Sequence, residues 1–222
     1  MTNPSPPPRL SKGGDRAQAN RHGGFVKDTD DHTAARDADA ALLARYASGD
    51  ATAARVLTAR LSPRAYGHAF RVLGDAAEAQ DVTQDAMMRL WKQAPTWDAG
   101  RAQAATWLYR VVANLCTDRL RARRTQSLDA ADVPADPGPS AAARLQTAAR
   151  TDALQAALLR LPERQRQAVV LRHIEGLANP QIAEILDVGI EAVESLTARG
   201  KRALAADLAA QRDALGYEDD TV

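Results

Sequence analysis

The sequence has few of the residues from which catalytic and metal sites are built. Its 222 residues include one cysteine, Cys116, and four dispersed histidines, His22, His32, His68 and His173. A single cysteine excludes an internal disulfide and any cysteine-rich metal site, and scattered histidines form no ligand cluster. We therefore expect no enzyme, no metal and no cofactor. Cys116 lies at the margin of an apolar helical stripe, which favours a buried small side chain over a reactive thiol.

Long apolar runs and strand patterns are also missing. No stretch approaches the roughly 20 apolar residues of a membrane span, and residues 1–36 lack the apolar run of a signal peptide. We expect no membrane insertion and a cytoplasmic location. No segment alternates apolar and polar residues as a strand does, so the sequence predicts an all-α fold.

The periodicity divides the chain into two helical domains. Residues 1–36 mix proline, glycine and polar residues without a period, which predicts a disordered tail. Helices are predicted near 38–48, 50–73, 75–94 and 102–124, with N-caps at Asp50, Asp75 and Asp98. Proline and aspartate in residues 126–143 predict a flexible acidic linker. The predicted domains are 37–125 and 144–211, followed by an acidic tail, 212–222.

The segment TWLYRVVANLCTDRLRARR, residues 106–124, contains neither proline nor glycine and predicts one unbroken helix. The side that we expect to face the core carries Leu108, Val111, Val112, Leu115 and Ala122. The polar row on the opposite side is Trp107, Arg110, Asn114, Thr117, Arg121 and Arg124. Such a row is either a solvated charged face or a nucleic-acid surface. An exposed tryptophan favours the second, because an unstacked base offers it a π-face.

Charge is divided unevenly, although the net charge is +1. Residues 101–124 carry six arginines and one aspartate, which gives +5. Residues 75–98 carry five carboxylates against Arg89 and Lys92, which gives −3. Adjacent segments of opposite charge predict two different partners.

Residues 178–204, ANPQIAEILDVGIEAVESLTARGKRAL, predict a helix-turn-helix. Asn179 suits the N-cap and Pro180 the first helical position. The predicted buried face of the first helix is Ile182, Ala183, Ile185 and Leu186. After the turn DVG, the inward face of the longer helix is Val193, Thr197, Gly200 and Leu204. An ordinary helical hairpin has a similar pattern.

These motifs, in their order, resemble an extracytoplasmic-function (group 4) sigma factor of bacterial RNA polymerase. The matching segments are DAAEAQDVTQDAMMRLWKQA, TWLYRVVANLCTDRLRARR, LPERQRQAVVLRHIEGL and the helix-turn-helix, within residues 38–208. The resemblance implies an alternative sigma factor that binds core polymerase and directs promoter-specific transcription initiation, in a stress or envelope response under an anti-sigma protein. Residues 37–125 then form region 2, which recognises and melts the minus-10 element. Residues 144–211 form region 4, which recognises the minus-35 element.

The resemblance also implies the contact residues in region 2. The residues that contact the clamp coiled coil of the β′ subunit are Asp81, Gln84, Asp85, Met88, Arg89 and Trp91. The resemblance also implies that the chain contacts the β flap of the polymerase. We expect Val82, Met87 and Leu90 of the same helix in the core. Those for the minus-10 element are Trp97, Trp107, Arg110, Asn114, Arg119, Arg121 and Arg124, with the arginines on phosphates. Trp97, in the loop PTWDAG and its extension to Gln103, either pockets a flipped base or covers the core.

Helical geometry places Glu191, Ser195, Ala198 and Arg202 on the outward face of the second helix, with Glu194, Arg199 and Lys201 on its flanks, and these are the expected minus-35 contacts. Here the chain departs from the usual pattern of a glutamate in the first helix and basic residues early in the second, because it has Gln181, Glu194 and Leu196. Glu191 is expected to complement the helix dipole. Glu194 either does the same or accepts a hydrogen bond from a cytosine amino group.

A dimeric helix-turn-helix repressor that acts without polymerase is the alternative function. It leaves the acidic helix 75–94 without a role. In both cases the expected chemistry is binding.

Overall fold

The computed structural model describes residues 38–98, 103–126 and 142–209, with only the backbone for 126 and 142–149. The helices are α1 (38–47), α2 (Ala51–Leu73), α3 (Ala76–Gln93), α4 (Ala104–Gln126), α5 (Ala142–Arg160), α6 (Glu163–Val169), α7 (Asn179–Leu186) and α8 (Ile190–Ala209). A 3-10 turn, Ala94–Thr96, follows α3, and a π-helical turn, Val170–Ile174, extends α6.

These ranges contain no strand, which confirms the all-α prediction, and none of their helices is long and apolar enough to cross a membrane. The first four helices end within two residues of their predicted bounds. The predicted tails 1–36 and 212–222 and nearly all of the predicted linker 126–143 lie outside the described residues.

Helices α1 to α4 pack around one apolar core. Each contributes a fully buried side chain, namely Leu43, Leu57, Leu90 and Val112. Burial of each such side chain stabilises the fold by about 1.5–3 kcal/mol relative to its exposed state. This core fixes the rotation of α3 and α4 and therefore the residues that these helices present outward.

Two of the three aspartates predicted as N-caps have that role. Asp50 accepts a hydrogen bond from the backbone N–H of Thr52 at 2.8 Å, and Asp75 accepts one from Glu78 at 2.8 Å. Helix α2 is followed by its C-cap, Gly74. The φ of 72° at this residue is favourable for glycine because glycine has no Cβ.

Two predictions for α4 are wrong. Asp98 is not its N-cap, because the helix begins at Ala104. Ala122 is exposed although it was predicted to face the core. The buried arc of α4 is centred on Val112 and extends to Tyr109, because the second half of the chain packs on that side.

Helices α5 to α8 form the second half. Leu158, Val170 and Leu204 lie in one of its apolar clusters. Helices α7 and α8 make the predicted helix-turn-helix, and Asp187 enters the turn with a left-handed φ of 52°. The predicted inward face of α8 is confirmed, since Val193, Gly200 and Leu204 are buried and Thr197 is half-buried.

Helix α7 begins one residue earlier than predicted. Asn179 is its first residue and Ala178 is the N-cap. Alanine has no side-chain acceptor, and the Gln181 side chain instead accepts a hydrogen bond from the Ala178 backbone N–H at 3.0 Å. Gln181, where the chain departs from the usual pattern, therefore stabilises the start of this helix.

The two halves pack directly against each other. Tyr109 and Ala113 of α4 are buried in one apolar cluster with Ile182 of α7. In α6, the Arg166 side chain is 8% exposed and donates a hydrogen bond across the interface to the Val72 carbonyl oxygen. A buried guanidinium needs such acceptors, so this contact depends on correct placement of both halves.

Helix α8 approaches α6 closely at Gly200. A Cβ there would lie 2.5 Å from Val169 Cγ2 and 3.2 Å from the Gln165 carbonyl oxygen. We expect Gly200→Ala to lower the free energy of unfolding by about 1–3 kcal/mol, because overpacking outweighs the higher helix propensity of alanine. Urea unfolding measures this change. Ala203→Gly, at an exposed position of α8, is the control for propensity and should cost about 1 kcal/mol. A Gly200→Ala protein as stable as the wild type would contradict the close approach.

Candidate nucleic-acid and protein interfaces

The polar row of α4 occupies one face of the helix. Its exposed members are Arg110, Asn114, Arg121 and Arg124. Thr117 is half-buried because it contacts the second half of the chain. Arg121 lies 3.7 Å from Asp118 on its own helix, and this exposed pair contributes little to stability.

Trp97 and Trp107 stand together at the start of the row. Their ring centroids are 5.9 Å apart in an edge-to-face arrangement. Both rings pack against the core, and both line a cleft of about 340 Å³ with Arg110. Trp97 Nε1 is buried and has no hydrogen-bond partner among the described residues. The two alternatives for Trp97 are thus compatible, since the ring covers the core and also lines a cleft.

Arg119 lies away from this row, between α3 and α4. Its guanidinium is 3.6 Å from Asp81 and 3.8 Å from Asp85. Between Arg110 and Arg119 the helix completes about two and a half turns, so the two side chains point to opposite sides. The expectation that Arg119 holds a DNA phosphate stays a prediction. In this fold its guanidinium neutralises part of the acidic face of α3.

The acidic face of α3 is available to a partner. Its exposed residues are Asp81, Gln84, Asp85, Met88 and Arg89. Trp91 is half-buried and packs on Tyr46, with ring centroids 4.8 Å apart. Val82, Met87 and Leu90 on the opposite side are buried, as predicted.

An apolar groove of about 490 Å³ borders this face, between α2 and α3. Its lining includes Pro63, Tyr66, Met87 and Met88. Tyr66 is 38% exposed and Met88 is 52% exposed. Grouped apolar side chains of this kind are typical of protein-binding surfaces. Sequence reasoning missed the groove, because its two walls come from helices that only the fold brings together.

Helix α8 presents all seven predicted minus-35 residues to solvent: Glu191, Glu194, Ser195, Ala198, Arg199, Lys201 and Arg202. Glu191 is in the first turn, where a carboxylate complements the helix dipole. Glu194 accepts a hydrogen bond from the Asn179 side-chain amide at 3.4 Å. This contact joins the two helices of the helix-turn-helix. It is a third role for Glu194, in addition to complementing the helix dipole and hydrogen-bonding a base.

A polar cluster that the sequence did not indicate lies between α4 and α6. The Glu163 carboxylate accepts hydrogen bonds from Thr117 Oγ1 at 2.6 Å and from Arg124 Nη2 at 2.8 Å. Gln167 Nε2 donates to Thr117 Oγ1 at 3.0 Å. A further carboxylate, Glu175, accepts a hydrogen bond from the Tyr109 hydroxyl at 2.5 Å. Acidic side chains of the second half thus contact the helix that carries the polar row.

Burial holds two titratable side chains, Cys116 and His68, in their uncharged forms. Burial raises the pKa of the Cys116 thiol to about 12 and lowers the pKa of His68 to about 3. The thiol is therefore protonated and the imidazole neutral near pH 7, and Cys116 is the buried small side chain that was predicted. Residues 38–98, 103–126 and 142–209 hold no cluster of three histidine, cysteine or acidic side chains that suits a metal ion.

Two family descriptions match the chain, one in each half. Sigma-70 region 2 matches residues 57–126, and Sigma-70, region 4 matches residues 151–204. The first match runs from within α2 to the end of α4, and the second lies within α5 to α8. Together they define a sigma factor built from regions 2 and 4.

Curated relatives narrow this class. The ECF RNA polymerase sigma factor SigM of Mycobacterium tuberculosis (strain H37Rv) is 35% identical over 170 residues, 75% of this chain and 83% of that protein. The ECF RNA polymerase sigma factor SigW of Bacillus subtilis is 29% identical over 150 residues, 63% of this chain and 80% of that protein. The chain belongs to the ECF RNA polymerase sigma factor family. This overturns the alternative of a repressor, because the region 2 match includes the acidic helix that a repressor leaves without a role.

Solved structures have the same fold. CnrH, in the structure of its complex with the cytosolic domain of CnrY, matches with a TM-score of 0.58 and 30% identity over 78% of this chain and 98% of that chain. The sigma factor RpoE from Bartonella quintana, crystallised with the anti-sigma factor NepR, matches with a TM-score of 0.57 and 21% identity over 69% of this chain and 95% of that chain.

Proposed function

We propose that the chain binds core RNA polymerase and directs it to specific promoters in the cytoplasm. The observation that carries this proposal is the exposed polar row of α4 with its tryptophan-lined cleft, in a chain of the ECF family. Residues 37–125 bind the polymerase and melt the minus-10 element, and residues 144–211 bind the minus-35 element. The chain contributes binding, and the polymerase performs the nucleotidyl transfer.

Recognition of the minus-10 element uses two kinds of contact along α4. The cleft beside Trp97 and Trp107 receives an unstacked base of the non-template strand, because an aromatic lining replaces the stacking that the base loses. Asn114, about two turns of α4 beyond Trp107, hydrogen-bonds a base edge. Arg110 and Arg121 hold the phosphates, which position the strand but carry no sequence information.

Single substitutions in the row test this role. Asn114→Ala and Trp107→Ala should each slow open-complex formation, and the loss of stacking at Trp107 should cost about 1–3 kcal/mol. Permanganate footprints of the melted region and run-off transcription measure the effect. Asn114 is exposed, whereas Trp107 packs on the core. The helix content and the free energy of unfolding of Trp107→Ala must therefore be measured by circular dichroism and urea unfolding. Arg55→Ala, at an exposed site on α2, is the control. If the Asn114→Ala protein gave the same footprints as the wild type, the row would be interpreted as a solvated charged face and not as a DNA-binding surface.

The acidic face of α3 docks on the clamp coiled coil of the β′ subunit. Carboxylates at Asp81 and Asp85 attract a basic partner helix, and Met88 supplies an apolar contact. The groove between α2 and α3 continues this surface through Met88. Arg119 limits the negative charge, because it is shared between both aspartates.

Opposite changes of charge test the docking face. Asp81→Lys with Asp85→Lys should weaken holoenzyme assembly about tenfold or more at low salt, because attraction becomes repulsion. Arg119→Ala removes the internal cation and should leave the affinity equal or higher. Asp152→Lys, at an exposed site on α5, makes half of this change of net charge away from the face and is the control. Titration of labelled protein with core polymerase measures all three. Equal weakening by Arg119→Ala and by the double reversal would contradict this assignment.

The outward face of α8 binds the minus-35 element. Arg199, Lys201 and Arg202 supply phosphate attraction in or beside the major groove. Base recognition by Glu194 requires a carboxylate free to turn away from Asn179. A well-placed carboxylate accepting from a cytosine amino group provides about 1–3 kcal/mol of discrimination.

A selection over randomised minus-35 sequences separates the roles of Glu194. We expect Glu194→Lys to change the preferred base, because a cation rejects the cytosine amino donor. Asn179→Ala breaks the contact between the helices and keeps the carboxylate, so its consensus should match the wild type. Arg202→Ala should weaken binding to all sequences alike. An unchanged consensus for Glu194→Lys would exclude base recognition by Glu194. Its remaining roles would then be to complement the helix dipole and to contact Asn179.

We further propose that an anti-sigma protein holds the chain inactive in a stress or envelope response. The solved structures of CnrH and RpoE are complexes with protein partners, and the partner of RpoE is an anti-sigma factor. Co-expression with the product of a neighbouring gene should abolish run-off transcription, and failure to find any inhibitory partner would count against this regulation.

A further inference from the structure

The outward face of α8 has a small apolar side chain among its polar ones. Ala198 is exposed, although its methyl group can neither donate nor accept a hydrogen bond. Glu194 lies one turn before it and Arg202 one turn after it, and both are exposed on the same side of the helix. A surface that we assign to base edges therefore has a methyl group between an anionic and a cationic side chain.

The direction of this methyl group follows from the buried side of α8. Val193 and Gly200 are buried, and Gly200 is the point of close approach to α6. With 100° per residue, the Cβ of Ala198 points about 140° away from Val193 and about 160° away from the direction of Gly200. Ala198 is thus nearly opposite to the side that packs on the rest of the second half, which is the side free to enter a groove of DNA.

The small size of Ala198 also matters. A side chain that ends at Cβ does not hold the helix away from the base edges. The adjacent Arg199 is directed along its own helix, because its Nε donates a hydrogen bond to the Ser195 carbonyl oxygen at 3.2 Å. Ala198 remains exposed beside it. The helix can therefore bring the Ala198 methyl group into direct contact with a base.

The base edges of the major groove present one apolar group, the C5-methyl group of thymine. All other groups that they present there are hydrogen-bond donors or acceptors, which an alanine leaves unpaired. We propose that Ala198 is a specificity-determining residue, which recognises a thymine of the minus-35 element through contact between the two methyl groups. The proposal rests on the minus-35 role of α8 proposed above.

The spacing along α8 limits where this thymine lies. Glu194 and Ala198 are separated by about 6 Å along the helix axis, because each residue advances about 1.5 Å. Successive base pairs of B-DNA are about 3.4 Å apart. The thymine therefore lies within about two base pairs of the base that Glu194 faces.

Replacement of thymine by deoxyuridine tests the contact, because it removes the C5-methyl group and keeps the base pair. The probe is a labelled duplex with the minus-35 sequence that the wild-type protein selects, in which each thymine is replaced in turn. Dissociation constants of the holoenzyme measure the effect. For the wild type, one replacement should weaken binding about fourfold, since one methyl-sized group leaves an apolar contact. For Ala198→Gly, the same replacement should have almost no effect, because the partner methyl group is already absent.

Ala203→Gly is the matched control. Ala203 is also exposed on α8, and its side chain points about 140° away from that of Ala198. Both variants lower the helix propensity equally, so Ala203→Gly should retain the full effect of deoxyuridine.

Three results would overturn the proposal: a selected sequence without thymine, no effect of deoxyuridine on the wild type, or an effect that Ala198→Gly leaves unchanged. If Arg202→Ala still weakens binding to the duplex in such a case, α8 binds the minus-35 element and only the thymine contact is lost.

Discussion

Helix α4 is held against the first-half core by Leu108, Val112 and Cys116, which are at most 3% exposed. These side chains set the rotation of the helix about its axis. With that rotation fixed, Arg110 and Asn114 point outward, and Arg119 points toward α3. A helix with one buried arc can thus present a polar row on one side and support the acidic face of α3 on another, because its side chains are placed at 100° intervals.

Several charged side chains in the part of the chain that the structure describes are paired within the chain. Glu78 pairs with Arg123 at 2.9 Å, Arg119 is shared between two aspartates, and Arg124 pairs with Glu163. A partner that bound Asp81, Asp85 or Arg124 would exchange an internal ion pair for an external one. Such an exchange depends on ionic strength and favours partners that match the charge of a whole surface.

Local features of the sequence predicted most of the fold. The caps at Asp50 and Asp75, the bounds of α1 to α4 and the inward face of α8 follow from backbone hydrogen bonding and a 3.6-residue period. The predictions for Asp98 and Ala122 were wrong for the same reason. An aspartate caps a helix only where the helix begins directly after it, and an apolar residue is buried only where another element packs on its side of the helix. Helical spacing supplied the polar row of α4 and the outward face of α8, and the family resemblance assigned their partners and added Arg119 and the contact residues of α3.

The sequence by itself therefore determined the helices, their faces and the family. Only the tertiary structure decided which distant residues meet. Tyr109 contacts Glu175 across 66 positions, and Thr117 contacts Glu163 across 46. No pattern along the chain encodes such pairs, because a hydrogen bond depends on the distance and direction between two groups in space, and these are set by the packing of every helix between them.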